Sequence, residues 1–293
     1  MSLAALMFRL SASRNDKKRD APLRAPESVS ALCDINYMGN RDPYNNLDIY
    51  TPKEAAGPLP VVVSVHGGGY VYGTKEVYRY YGMFWATLGY AFVNFNYHLA
   101  PRAKFPAQLG ELNAVMEFLC RHAEEYGLDL NNVFMVGDSA GAQMLSQYAA
   151  IVTNPDYAAL FPFSVPGGFA LRAVGLNCGM YRLLPRAEEE NNGIMRDYLG
   201  KDLHKYGAML QVLEHVTGDY PPAFLMTAAN DFLREEAEPM SRFLAEKGVE
   251  TVCRCYGRPE QDYMAHVCHV NMNLEEAKEI NREQSGFFRK HLV

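Results

Sequence analysis

Apolar residues run along this chain in two rhythms. Val61-Val-Val-Ser-Val65, Tyr90-Ala-Phe-Val-Asn-Phe-Asn96 and Val133-Phe-Met-Val136 are short, nearly continuous apolar runs. Their β-branched and aromatic content is that of strands buried on both faces. Asn46-Leu-Asp-Ile-Tyr50 alternates instead and reads as an edge strand, punctuated by Pro58 and Pro60. Ala223–Ala228 and Thr251–Tyr256 add two further strands. Between these runs the period becomes helical. Leu109, Leu112, Val115, Met116 and Leu119 repeat at helical spacing within 107–126. An Ala-, Met- and Leu-rich helix is predicted from Ala140 to about Val152, another over Glu235–Lys247, and an amphipathic one from Leu274 to Leu292. Strands alternating with helices predict an α/β fold with a mostly parallel sheet covered on both faces.

Two segments fall outside the rhythm. Residues 1–45 read as irregular, with a short helix at the start and Pro22 and Pro26 preventing its continuation. Residues 176–220 are polar, with Arg182, Arg186 and Glu188-Glu-Glu190, yet hold short apolar pieces. They read as an inserted cap. Residues 1–293 are therefore expected to form one domain, with about 1–45 and 176–220 contributing the cap. A length of 293 residues on its own favours about two domains, so this pattern changes the picture.

Composition narrows the function classes. With 48% hydrophobic and 21% charged residues the chain can bury a large core, which excludes a disordered tail or a coiled coil. Its 28 Lys+Arg against 34 Asp+Glu, and the absence of a long basic block, exclude nucleic acid as the main partner. No apolar stretch approaches the roughly 18 residues of a spanning helix, so no membrane partner is expected. Leu3-Ala-Ala-Leu-Met-Phe8 is cut by Arg9, lacks a preceding basic residue and makes a poor signal peptide. Six scattered Cys without a Cys-x-x-Cys suit small apolar residues in a reducing compartment, and the cytoplasm is the expected location. Lys17-Lys18-Arg19 reads as a solvated connector.

Three motifs carry chemistry. Gly137-Asp-Ser-Ala-Gly141 fits Gly-x-Ser-x-Gly and lies between a buried strand and a helix, the setting of a nucleophile elbow that presents Ser139. The amide of Ala140, at the start of that helix, is placed to donate to a developing oxyanion. His66-Gly-Gly-Gly69 follows the strand 61–65, and two of the Gly67, Gly68 and Gly69 amides are expected as further oxyanion donors, with His66 bracing the loop. A phosphate loop is excluded, since Thr74-Lys75-Glu76 stands where Lys-Ser/Thr is required. A serine hydroxyl needs an imidazole to take its proton and an acid to hold that imidazole in the right tautomer. Asp231, at the carboxyl end of the strand 223–228, is the expected acid, with Asp262 as rival and Asp138 pointing away. His266 and His269 both lie where the base belongs, and the residues alone leave that choice open. Cys253, Cys255, His266, Cys268 and His269 match no common zinc spacing, so no metal is expected.

With these residues in view, the chain resembles the hormone-sensitive-lipase-like branch of the α/β-hydrolases, which includes bacterial acetyl esterases. His66-Gly-Gly-Gly-Tyr70, Gly137-Asp-Ser-Ala-Gly141 and Asn96-Tyr-His-Leu-Ala-Pro-Arg-Ala-Lys-Phe-Pro-Ala107 are similar to its three signature segments, and the resemblance covers about residues 45–293. It implies a cofactor-free serine carboxylic-ester hydrolase with an eight-stranded core, short acyl substrates and a cap over the acyl pocket. It also implies catalytic roles for Ser139, Asp231 and one His. His266-Val-Cys268 fits the family frame better than His269-Val-Asn271, which favours His266. Tyr70 and Tyr181 are candidate pocket residues. The chain departs from the family in three ways: His98 and Arg102 replace the usual Arg and Glu, no Gly follows the catalytic His, and Cys268 stands where an aromatic is common. The expected partner is a small-molecule ester, and a homo-oligomer is compatible with the sequence. An amidase or peptidase, or a non-catalytic binding protein on the same fold, are the rival functions.

Overall fold

Alternate residues of β3 (Leu59–Val65) serve two cores: Val61, Val63 and Val65 enter one and Val62 the other. β5 (Leu128–Asp138) divides likewise, with Val133 and Met135 against Phe134 and Val136. Strands buried on both faces are the physical form of the continuous apolar runs. They lie mid-sheet in an eight-stranded array of order β1-β2-β4-β3-β5-β6-β7-β8. The other members are β1 (Val29–Asn36), β2 (Asn46–Pro52), β4 (Ala91–Phe95), β6 (Leu171–Asn177), β7 (Ala223–Ala228) and β8 (Thr251–Tyr256). Only the β1–β2 and β2–β4 pairings are antiparallel.

The computed structural model describes residues 1–188, 192–201 and 203–293. Glu189 and Glu190 of the predicted cap lie outside the described residues. The helices are α1 (Leu3–Asp20), α2 (Arg79–Thr87), α3 (Ala107–His122), α4 (Ala140–Thr153), α5 (Pro155–Ala158), α6 (Leu183–Glu188), α7 (Gly193–Leu199), α8 (Arg234–Glu246) and α9 (Glu275–Arg289). Every residue of α4 from Ala140 to Ile151 is buried, because this helix is enclosed rather than amphipathic. Among the described residues no helix is long and apolar enough to cross a membrane.

Three departures from the sequence reading have causes in local chemistry. Residues 1–45 are not irregular: α1 runs for 18 residues and β1 pairs with β2. Of α1 only Ala5 is fully buried, so no apolar stripe facing the core carries the pattern through to Asp20. β6 had no forecast because Arg172 and Gly175 interrupt its apolar run; at Gly175 the buried Gln284 side chain packs close, where an added Cβ would lie 2.5 Å from its Nε2. The insertion consequently starts after Asn177 and ends before Ala223, slightly later than 176–220.

Candidate active site

The turn from β5 to α4 lifts Ser139 out of the sheet. Ser139 takes φ 54 and ψ −119, a region an L-residue occupies only under constraint. Its amide donates to Asn177 O at 2.9 Å and its carbonyl accepts from the Gln143 amide at 3.1 Å. Gly141 allows the helix to pass close over β3, since an added Cβ would stand 2.0 Å from Val65 O. Gly68 has φ 116 and would place a Cβ 2.1 Å from Tyr72 O, so only glycine fits both the turn and the close approach.

Asp231 follows β7 with its side chain fully buried. His266 Nδ1 donates to Asp231 Oδ1 at 2.6 Å, the Leu233 amide to the same oxygen at 2.9 Å, and Thr227 Oγ1 to Oδ2 at 2.8 Å. Burial pushes the Asp231 carboxyl up, but the hydrogen bond and charge of His266 and the Leu233 amide outweigh it, and the group stays below the ordinary carboxylate range. With Nδ1 donating, the neutral ring leaves Nε2 as an acceptor. Phe232 lies over the imidazole, ring centroids 4.2 Å apart.

His269 has a different environment. It is buried edge-on to Tyr81, its Nδ1 meets no partner among the described residues, and burial pulls it down to about 3. Asp262 is exposed. His66 is buried and stacked on Tyr97 at 4.1 Å, donates from Nδ1 to Gly67 O at 2.8 Å, and is pulled down to about 4 by burial. It braces the loop, as its position suggested.

A cavity of about 390 Å³ brings Ser139, His266, Gly67 and Gly68 together. Its opposite wall is α1, through Phe8, Ser11, Ala12, Asn15, Asp16 and Arg19. The amides of Gly68, Gly69 and Ala140 have no acceptor among the described residues, whereas the Gly67 amide donates to Tyr78 Oη at 3.0 Å. That removes Gly67 from the set of free donors. Tyr78 Oη in turn donates to Asp138 Oδ2 at 2.8 Å. Asp138 is buried beneath the loop, and burial pushes its carboxyl up to about 6 even with the Tyr78 hydrogen bond acting against it.

Tyr70 and Tyr181 do not line this cavity. Tyr70 is buried against Tyr198, ring centroids 3.7 Å apart, with its hydroxyl donating to Gln143 Oε1 at 2.9 Å. Tyr181 is buried and donates to Leu176 O at 3.2 Å. Both are packing residues, drawn inward because a tyrosine can bury its ring once its hydroxyl finds a carbonyl or amide.

The sequence reading missed Asp16, Tyr78 and Phe232, and it read Arg19 as part of a solvated connector, whereas Arg19 is half-buried, lines the cavity and pairs with Asp16 and Asp20. The only signal for any of them was local: Phe232 follows Asp231 directly. It also missed Cys178, whose sulfur lies within 4.8 Å of donor atoms of Asp231 and His266 and accepts from the Val267 amide at 3.4 Å. Burial pushes this thiol well above its ordinary range. Among the described residues Cys253, Cys255, Cys268 and His269 form no donor cluster with His266.

The departures from the family pattern have visible consequences. Val267 takes φ 56, the left-handed conformation a glycine would adopt freely after His266. His98 Nδ1 meets Glu111 Oε1 at 2.5 Å and Nε2 meets Asp42 at 3.2 Å, while Arg102 approaches Asp42 at 3.7 Å. These residues form a polar network away from the cavity.

Comparison with known proteins finds esterases. Residues 47–238 match the BD-FAE family. Esterase LipI of Mycobacterium tuberculosis is 28% identical, over 84% of this chain and 81% of its own. An acetyl esterase of Salmonella schwarzengrund is 29% identical over 41% of this chain, a match spanning 36% of that relative. The crystal structure of Esterase B from Lactobacillus rhamnosis superposes with a TM-score of 0.88 at 25% identity, covering 98% of this chain and 93% of that one. The chain belongs to the BD-FAE family of α/β-hydrolases and is a serine carboxylic ester hydrolase.

Proposed function

We propose that the protein cleaves short-chain acyl esters of small alcohols through an acyl-enzyme on Ser139. The observation that carries this reading is the meeting of three features in one cavity: the constrained Ser139, the Asp231-tethered imidazole of His266, and the Gly68 loop. Ser139 Oγ attacks the ester carbonyl while His266 Nε2 takes its proton. Asp231 keeps the other ring nitrogen protonated and stabilises the imidazolium. The amides of Gly68, Gly69 and Ala140 receive the oxyanion, each worth about 3–4 kcal/mol in the transition state. His266 then returns the proton to the leaving alcohol, and water releases the acyl group by the reverse sequence.

A cavity of about 390 Å³ is near the small end of ligand sites and must hold both halves of the ester, which supports a short acyl group. We assign α1 and the segment 178–222 to the cap. The test is a series of p-nitrophenyl esters from acetyl to octanoyl, with acid-quenched digests analysed by mass. The expected result is kcat/KM falling with chain length and an acetyl group on the Ser139 peptide. Rising kcat/KM overturns the short-chain reading, and an adduct on any other residue overturns the mechanism.

A further inference from the structure

The exposed large apolar residues of this chain are unevenly placed. Met1, Leu3, Leu6, Met7, Phe8 and Leu10 all belong to the N-terminus and the first half of α1. Leu3, Met7 and Leu10 follow helical spacing on the outward side and remain 72%, 63% and 66% exposed. Farther along the same side, Arg14, Lys17 and Lys18 are exposed and carry no ion pair among the described residues. The acids of α1 face the other way. Asp16 pairs with Arg19 at 3.1 Å and accepts from Tyr72 Oη at 2.7 Å, and Asp20 pairs with Arg19 at 2.7 Å. The helix thus sorts its charges, with carboxylates inward and three cations outward beside an apolar stripe.

This face does not flap loose. The Ser2 amide donates to Asp197 Oδ2 at 2.7 Å, Arg9 Nε to Val71 O, and Arg19 Nη2 to Val77 O at 2.7 Å. α1 is therefore a fixed surface, and its flank is the cavity wall. Two more exposed aromatics stand near the site. Phe232 is 75% exposed over His266, and Tyr263, like Phe8, lines the cavity.

We infer that the outer face of α1 docks on an anionic lipid–water interface and turns the mouth of the Ser139 cavity toward it. The apolar stripe enters the boundary between headgroups and acyl chains, and the cations meet lipid phosphates, as for helices that lie in a membrane plane without crossing it. Charge complementarity selects this occupant. A second copy would bring its own Arg14, Lys17 and Lys18 against these, and the chain as a whole carries −6, so attraction to an anionic surface has to come from this patch. The binding is independent of which ester the cavity accepts.

The test is co-sedimentation of the full chain with vesicles of phosphatidylglycerol and phosphatidylcholine, against phosphatidylcholine alone. The wild type is expected to partition onto the anionic vesicles and to be released by high salt. The triple variant Arg14→Glu, Lys17→Glu, Lys18→Glu should weaken partitioning by about a hundredfold or more. Leu3→Ser with Met7→Ser and Leu10→Ser should weaken partitioning at low salt as well, by about tenfold or more. Both variants should hydrolyse a soluble acetyl ester at the wild-type rate, which separates this inference from the catalytic reading and shows that they fold. Equal sedimentation of wild type and charge-reversed chain overturns it. So does a dimer, seen by light scattering, that the three Ser substitutions dissolve.

Discussion

On one side of the Ser139 cavity stand Gly67, Gly68, Asp138 and Ser139, carried by β3 and β5 in the middle of the sheet. On the other stand Phe8, Ala12, Asn15 and Arg19, carried by a single helix. The first wall is fixed from both faces: Gly141 packs against Val65, α4 is enclosed, and the Gly67 amide is tied through Tyr78 to Asp138. The second wall buries one alanine and is held by a handful of hydrogen bonds. The difference assigns separate duties. Groups that must stay in place through a reaction belong to the sheet, where packing is densest. The α1 wall, carried by one helix, can change without disturbing that packing, and we expect it to be where esters are selected.

The contrast can be broken from the sheet side first. Ser139→Ala is expected to lower kcat about ten-thousandfold or more on every ester tried, since the triad acts as a unit; stopped-flow assays on acetyl and butyryl esters would show it. Activity surviving on either ester would sink the assignment. Asp231→Asn should cost about a thousandfold or more, because it upsets the tautomer of His266. His269→Asn should cost less than about tenfold, because His269 is only a packing residue, and a larger loss would move the base to it. From the helix side the effect is smallest. Arg19→Met removes the links to Asp16, Asp20 and Val77 O but keeps the stem. It should change kcat/KM by about three- to tenfold, and differently for acetyl and butyryl esters. An equal loss on both would mean that α1 supports the site without selecting substrate.

The same division governs what the sequence disclosed. The sheet wall was legible because its demands are local and residue-specific. A strained strand-to-helix turn needs Gly-x-Ser-x-Gly, and a loop that passes under Tyr72 O needs Gly68. Strand β7 was read to the residue because Ala223–Ala228 is apolar except for Thr227 and buried throughout. The helix wall was only partly legible: its start reads as a short helix, but α1 buries no stripe that would carry the pattern on to Asp20 or mark it as a cavity wall. Tyr70 and Tyr181 were misplaced for a related reason. An aromatic beside a glycine loop looks like a pocket residue, and only Tyr198 and Leu176, on other elements, account for their burial. The choice of His266 over His269 was beyond periodicity too, since it depends on which imidazole Asp231 reaches across 35 residues.

The φ of 54 at Ser139 has a consequence for laboratory evolution. Such a backbone costs on the order of 1–3 kcal/mol, a noticeable fraction of a domain's stability. Glycine at 139 would relax it, and would also remove the hydroxyl. A library screened for heat resistance without a turnover assay should therefore accumulate replacements at this turn early, trading activity for melting temperature. Held in natural sequence space only by its chemistry, Ser139 is a position where selection for the catalyst and selection for the fold point in opposite directions.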